Sequence, residues 1–168
     1  MNKELIVTVE GLEKLERELE NHKISRSEVA ERIKIAREFG DISENAEYDE
    51  AKNEQAFLEG EIAKIEKQLK NVRVVDEDEV STDTVSVGCW VKVREMKKDG
   101  KTFENPEVYH IVGSVEADPF KNKISNESPV GSSLMYRKVG EIVDVQLPYG
   151  STKLDLLEIS KQEISKQG

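Results

Sequence analysis

Arg37-Glu38-Phe39-Gly40-Asp41-Ile42-Ser43-Glu44-Asn45-Ala46-Glu47-Tyr48 is an acidic turn set between two long helical patterns whose apolar positions mirror each other. A heptad seam advances in steps of three and four residues. Leu12, Leu15, Leu19, His22, Arg26, Val29, Ile33 and Ala36 step that way up to the turn. Tyr48, Ala51, Gln55, Leu58, Ile62, Ile65, Leu69 and Val72 step the same way beyond it. Folding the chain about Ile42 sets Ala36 against Tyr48, Ile33 against Ala51, Leu19 against Ile65 and Leu12 against Val72. The pattern predicts an antiparallel coiled-coil hairpin. At a rise of roughly 1.5 Å per residue, arms of about 30 residues reach about 45 Å, which puts the carboxylates at the far end of a rod.

The end signals agree. Thr8 is placed to cap the first arm, Gly40 suits a left-handed residue closing it, and Asp41 with Glu44 forms a capping-box signature for the second. The seam is weakest at His22 and Arg26, where Ser25 and Glu28 make a second capping-box signature. That combination predicts a break of the first arm near residues 22–24, followed by a restart.

A length of 168 residues allows one domain or two small ones, and the pattern changes at Asp76-Glu77-Asp78-Glu79 from heptads to period-two alternation. The division read from this is a hairpin over residues 1–75 with its tip near 40–45, an acidic linker over 76–84, a second domain over 85–160 and a polar, frayed tail over 161–168. The net charge of -10 is shared evenly, with 13 basic against 18 acidic residues up to Val75 and 12 against 17 after it. Neither half has the positive footprint of a general nucleic-acid-binding surface, so any RNA contact has to be local. A single cysteine, Cys89, excludes an internal disulfide and reads as a small buried side chain of a protein in the reducing cytoplasm. No basic-then-apolar leader and no run of about 18 apolar residues is present, so the expectation is a soluble, non-membrane protein.

In the second half, Val85, Val87, Cys89, Val91 and Val93 alternate with Ser86, Gly88, Trp90, Lys92 and Arg94, the signature of a half-buried strand. Shorter strands are predicted over 107–113, 123–125, 141–147 and 153–159, and Ser128-Pro129 starts a helix running to about Arg137. Strands, helix, strands is an α+β order.

The tip carries the chemistry. Asp41 and Glu44, three apart at a helix start, offer two hard oxygen donors of the kind magnesium prefers, although two exposed carboxylates hold it well only beside further ligands or phosphates. The same two residues read equally as a plain capping box, and Glu47, Asp49 and Glu50 as a solvated face. Arg37, one turn before the loop, and Lys52, one to two turns after it, form a small basic spot suited to a phosphate backbone, or each pairs with a neighbouring glutamate. Tyr48 reads as a seam residue packing on Ala36 whose hydroxyl reaches the tip. His22 and His110 lie in different pattern regions, Cys89 has no nearby histidine, and no glycine-rich phosphate loop occurs, so other site chemistry is excluded.

Residues 36–48 closely resemble the signature of the Gre family of bacterial transcript cleavage factors. Similar stretches run through the chain: Gln55 with Glu59-Gly60, Tyr109-His110-Ile111-Val112-Gly113, Glu116-Ala117-Asp118, Ile124-Ser125-Asn126-Glu127-Ser128-Pro129 and Lys138-Val139-Gly140-Glu141. The resemblance implies an FKBP-like C-terminal domain, an antiparallel β-sheet with a short helix, that docks on bacterial RNA polymerase at the rim of its largest subunit. The coiled coil would enter the secondary channel, where a backtracked RNA 3′ end lies. On this likeness Asp41 and Glu44 serve as catalytic metal and water ligands, and Mg2+ is shared with the polymerase active site, with none held tightly by the free protein. Arg37 and Lys52 would guide the RNA, Ser43, Asn45 and Tyr48 would support the tip, and Asp118, Pro119, Phe120 and Lys121 would dock. The factor would act as a monomer, donating ligands rather than being an enzyme itself.

Many relatives in that family carry histidine where this chain has Phe39, proline where it has Ser27 and glycine where it has Tyr136. A long basic stripe on the coil, expected of one branch, is missing here, which favours the branch acting on short extruded RNA. Three rivals stand beside this reading. A Gre-like inhibitor would block the channel but would pack more acids into the loop, where this chain has Ile42 and Ser43. A peptidyl-prolyl isomerase would need an aromatic-lined pocket, against only scattered Trp90, Phe103, Tyr109, Phe120, Tyr136 and Tyr149. A coiled-coil chaperone would expose an apolar tip, against an acidic one.

Overall fold

The computed structural model describes residues 4–39 and 45–165. The chain forms two compact units, Glu13–Val72, and Glu4–Leu12 with the chain from Arg73 onward. The division expected after Val75 therefore shifts. Strand β1 (Leu5–Thr8) pairs with β2 (Val72–Val75), and residues 4–12 fold with the later half.

The first unit is built on α1 (Val9–Glu38), 30 residues long, and α2 (Ala46–Lys70), 25 residues long. Val29, Ile33, Ala51 and Leu58 form one buried cluster with Tyr48 packed on it, and Leu15, Ala36, Ile62 and Ile65 are buried too. The seam read from the heptads thus faces inward on both arms. Among the described residues three ion pairs cross between them, Lys23–Glu66 at 3.9 Å, Arg26–Glu59 at 3.6 Å and Arg32–Glu54, in the expected antiparallel sense.

The break expected at residues 22–24 is absent, since α1 is one unbroken helix. Ser27 keeps the backbone N–H that a proline would remove, and its hydroxyl donates to Lys23 O at 3.3 Å within the helix. Where apolar residues run out, half-buried Lys23 and Arg26 lay their aliphatic stems along the seam and send their charges to α2.

The second unit holds a five-stranded sheet of order β5-β4-β3-β7-β6. Its strands are β3 (Trp90–Glu95), β4 (Glu107–Val112), β5 (Lys123–Ser125), β6 (Ile142–Leu147) and β7 (Gly150–Ser160). All neighbours are antiparallel except β4 and β5, which run parallel, so the sheet is mixed. Val91, Val93, Ile111, Val145 and Leu156 supply its core, and Leu134 of α3 (Pro129–Leu134) closes it. The architecture is α+β.

Three local expectations change. The strand expected from Val85 starts at Trp90, because Cys89 N–H turns back onto Ser86 O at 3.2 Å and Gly88 takes φ +100°, although burial still alternates from Val85 to Val93. The helix expected to reach Arg137 stops at Leu134. Tyr136 adopts φ 68° and donates its N–H to Val85 O at 2.9 Å, while Arg137 O accepts Val85 N–H at 2.9 Å. Residues 76–84 are not a free linker, since Asp76 caps a short 3-10 helix over Glu77–Glu79 and Val80 is buried in the sheet core. Ile164 in the polar tail is buried as well.

Candidate functional site

The end of the hairpin is organised by one amide. Helix α2 opens at Ala46, so its cap falls on Asn45 rather than on the Asp41 and Glu44 pair. Asn45 Oδ1 accepts the Tyr48 N–H at 3.2 Å, while its Nδ2 donates to Ala36 O at 2.9 Å, one of the last carbonyls of α1. A carboxylate could make the first bond and not the second, which is the reason asparagine holds this position.

Arg37 and Lys52 are both exposed, and each has its own local partner. The Arg37 guanidinium lies over the Tyr48 ring, 5.9 Å from its centre, and Lys52 Nζ donates to Gln55 Oε1 at 3.2 Å. Neither contact is a salt bridge, so among the described residues both charges stay available to an incoming anion. Phe39 is 81 % exposed beside them. Asp41, Ser43 and Glu44, with Gly40 and Ile42, lie outside the described residues. Among the described residues no group of three or more His, Cys, Asp or Glu side chains comes together to hold a metal.

The four residues 118–121 form a tight, self-bonded projection. Asp118 Oδ1 accepts the Phe120 N–H at 3.0 Å, and Pro119 starts the 3-10 helix Pro119–Lys121. Asn122 follows at φ 54°, and the Asp118 and Lys123 backbones close the loop with bonds of 2.9 and 3.0 Å. At its crest the Phe120 side chain is 98 % exposed.

Thr8 caps α1 as the sequence predicts, its Oγ1 accepting the Gly11 N–H at 3.1 Å. The structure adds a partner that sequence reading missed. The buried Glu116 carboxylate accepts the Thr8 N–H at 2.9 Å, the Thr8 hydroxyl and the Gly113 N–H at 3.3 Å. Gly11 has no side chain because a methyl there would fall on the Glu116 carboxylate, and one on Gly113 would fall on Ile6 O. Thr8 and Glu116 are 108 positions apart in sequence, so no spacing rule links the start of α1 to this acid.

Cys89 and His110 are both committed to the packing of the second unit. Cys89 is fully buried, and burial pushes its thiol up to about 11, far from a nucleophile. His110 stacks on Trp90 with ring centres 4.2 Å apart and donates from Nε2 to Gly88 O at 3.2 Å. The six aromatics line no common pocket: Phe120, Tyr136 and Tyr149 point to solvent, and Phe103 lies under the Arg94 guanidinium.

Comparison with known proteins places both halves. Residues 5–74 match the family described as transcription elongation factor, N-terminal, and residues 80–161 match transcription elongation factor, GreA/GreB, C-term. Transcription elongation factor GreA of Acetivibrio thermocellus is 57 % identical over 161 residues, covering 95 % of this chain and 98 % of that protein. The GreA of Thermoanaerobacter pseudethanolicus is 56 % identical over 162 residues, covering 96 % and 100 %. A solved structure of GreA factor homolog 1 (Gfh1) from Thermus thermophilus aligns over 94 % of this chain and 99 % of that one, at 24 % identity and a TM-score of 0.43. With both halves matched in order and more than half of all positions shared with full-length relatives, the chain belongs to the GreA/GreB family of transcription elongation factors.

Proposed function

We propose that this elongation factor binds bacterial RNA polymerase, inserts its coiled coil into the secondary channel and stimulates the polymerase's own cleavage of backtracked RNA. The observation that carries this reading is the match of both halves to the GreA/GreB family, at 57 % identity to a GreA protein over nearly the full chain. The layout of the residues supports it.

Asp41 and Glu44 act at the tip as oxygen donors and hold the attacking water. Magnesium, when bound there beside the polymerase's own ligands, supplies a lowered water pKa and charge neutralisation at the leaving oxygen. Arg37 and Lys52 attract the phosphates of the extruded strand, Arg37 by swinging off the Tyr48 ring and Lys52 by leaving Gln55. Asn45 keeps the two helix ends joined so that the loop between them has fixed attachment points. Docking falls to residues 118–121, with Phe120 as the apolar anchor. Free of polymerase, the protein cleaves nothing, because its acids lack the remaining ligands.

The test is RNA length against time in a stalled, backtracked elongation complex with magnesium, comparing no factor, the natural chain and Asp41→Ala. Release of short 3′ fragments with the natural chain alone is the expected result. Slower elongation without cleavage would make the protein a blocker of the channel.

A further inference from the structure

Glu116 stands two residues before the projecting turn at 118–121 and is 95 % shielded from solvent, yet its nearest described partners are the cap and first turn of α1. A buried carboxylate without a cation beside it is costly unless hydrogen bonds replace its water. Here the Thr8 N–H, the Thr8 hydroxyl and the Gly113 N–H do so, and the start of a 30-residue helix adds the favourable end of its dipole. Gly11 gives up helix propensity to make room for this acid. Gly113, in extended backbone, leaves room for the approach of the Ile6 carbonyl. One short stretch, residues 113–121, thus grips the root of α1 at one end and presents Phe120 at the other. Because α1 is unbroken from Val9 to Glu38, the helix gripped at its cap is the one that carries Arg37.

We propose that Glu116 is a positioning residue, clasping the root of α1 through Thr8 and Gly11 so that a factor docked through residues 118–121 delivers its tip at full effectiveness. This rests on the function proposed above. A clasp acts after docking, so its loss lowers the maximal cleavage rate without changing how much factor half-saturates the polymerase. A purely stabilising contact would instead act through the folded fraction and vanish wherever the variants are fully folded.

The experiment titrates the factor against backtracked complexes at a temperature where melting curves show every variant folded, using the natural chain, Glu116→Gln, Gly11→Ala, Thr8→Ser and Phe120→Ala. Glu116→Gln removes the negative charge facing the start of α1 and forces the Thr8 hydroxyl to turn from donor to acceptor. Gly11→Ala would stabilise an ordinary helix but here displaces the carboxylate, while Thr8→Ser keeps the hydroxyl and serves as the rescue. The expected result is a plateau rate about tenfold lower for Glu116→Gln and Gly11→Ala with half-saturation within about twofold, natural behaviour for Thr8→Ser, and a shifted half-saturation for Phe120→Ala. An unchanged plateau in the first two, or a plateau and half-saturation that move together, overturns the clasp while leaving the cleavage reading intact. Absence of cleavage with the natural chain overturns the cleavage reading, and the clasp with it.

Discussion

The Asn45 side chain joins the end of one helix to the start of the next, donating to Ala36 O at 2.9 Å while accepting from Tyr48 N at 3.2 Å. An aspartate would keep the cap and set a negative oxygen against a carbonyl. Asn45→Asp is therefore expected to destabilise the hairpin by about 1 kcal/mol, and Asn45→Ala, which loses both bonds, by about 1–2 kcal/mol. Urea unfolding followed by far-UV circular dichroism checks the order; a stable Asn45→Asp would mean the donor bond contributes nothing.

Tyr136 holds a left-handed backbone, φ 68°, with its ring 75 % exposed, so it accepts the strain of that conformation with little packing in return. Glycine adopts the same geometry freely. Tyr136→Gly is expected to raise stability by about 0.5–1 kcal/mol, part of the relieved strain being lost to the looser unfolded chain. A fall in the melting temperature would show that the exposed ring matters to the fold.

Phe120 separates docking from stability. With its side chain 98 % exposed on a turn bonded through Asp118, its removal touches no core. Phe120→Ala is expected to leave stability within about 0.5 kcal/mol and to weaken polymerase binding by about 2 kcal/mol, the range of an interface anchor. Calorimetric melting and a polymerase-binding titration read the two separately, and unchanged binding would remove Phe120 from the interface.

His110 makes the fold sensitive to mild acid. Burial lowers its pKa below the ordinary 6.5, and Lys123 lowers it further, against the Gly88 carbonyl and the Glu116 and Glu10 charges, which raise it. With Nε2 donating to Gly88 O, the buried Nδ1 has no hydrogen-bond partner among the described residues, so a second proton would leave a charged N–H unsatisfied. The unfolded chain binds that proton first, near pH 6.5, so this contribution is complete above that pH and is lost as pH falls toward the depressed folded value. Between about pH 7.5 and about pH 5 the natural chain is expected to lose more stability than His110→Phe, which keeps a ring on Trp90 and cannot titrate. Equal losses would place the acid sensitivity elsewhere.

The hairpin was legible because a heptad seam is a long signal. Val29, Ile33, Ala51 and Leu58 each repeat the same statement about which side faces in. Strands β4 and β5 were legible because Glu107–Val112 is rich in β-branched and aromatic residues and both it and Lys123–Ser125 lie between turn residues. What failed was local punctuation overruled by tertiary contacts. Ser25 and Glu28 look like a helix start, but ion pairs to Glu59 and Glu66 carry the seam past them. Val85 alternates like a strand residue, yet its hydrogen bonds go to Tyr136 and Arg137 rather than to the sheet. The roles at Asn45 and Glu116 were not readable at all in these terms. Each depends on partners brought in by folding, Ala36 in one case and Thr8, 108 positions away, in the other.

An interior strand of the sheet is the last of its strands to be synthesised. β7 lies between β3 and β6, and every other strand is synthesised before it. The helical hairpin, whose partners are neighbours in sequence, is complete once Lys70 has emerged, whereas β3 waits for Ser160 before its second edge is filled. At roughly 5–20 residues per second that interval lasts several seconds, during which a valine-rich strand edge stands open on the nascent chain. A chain cut off before Gly150 would lose this interior strand and leave β3 and β6 unjoined. The result would be a helical rod attached to an unclosed, aggregation-prone sheet.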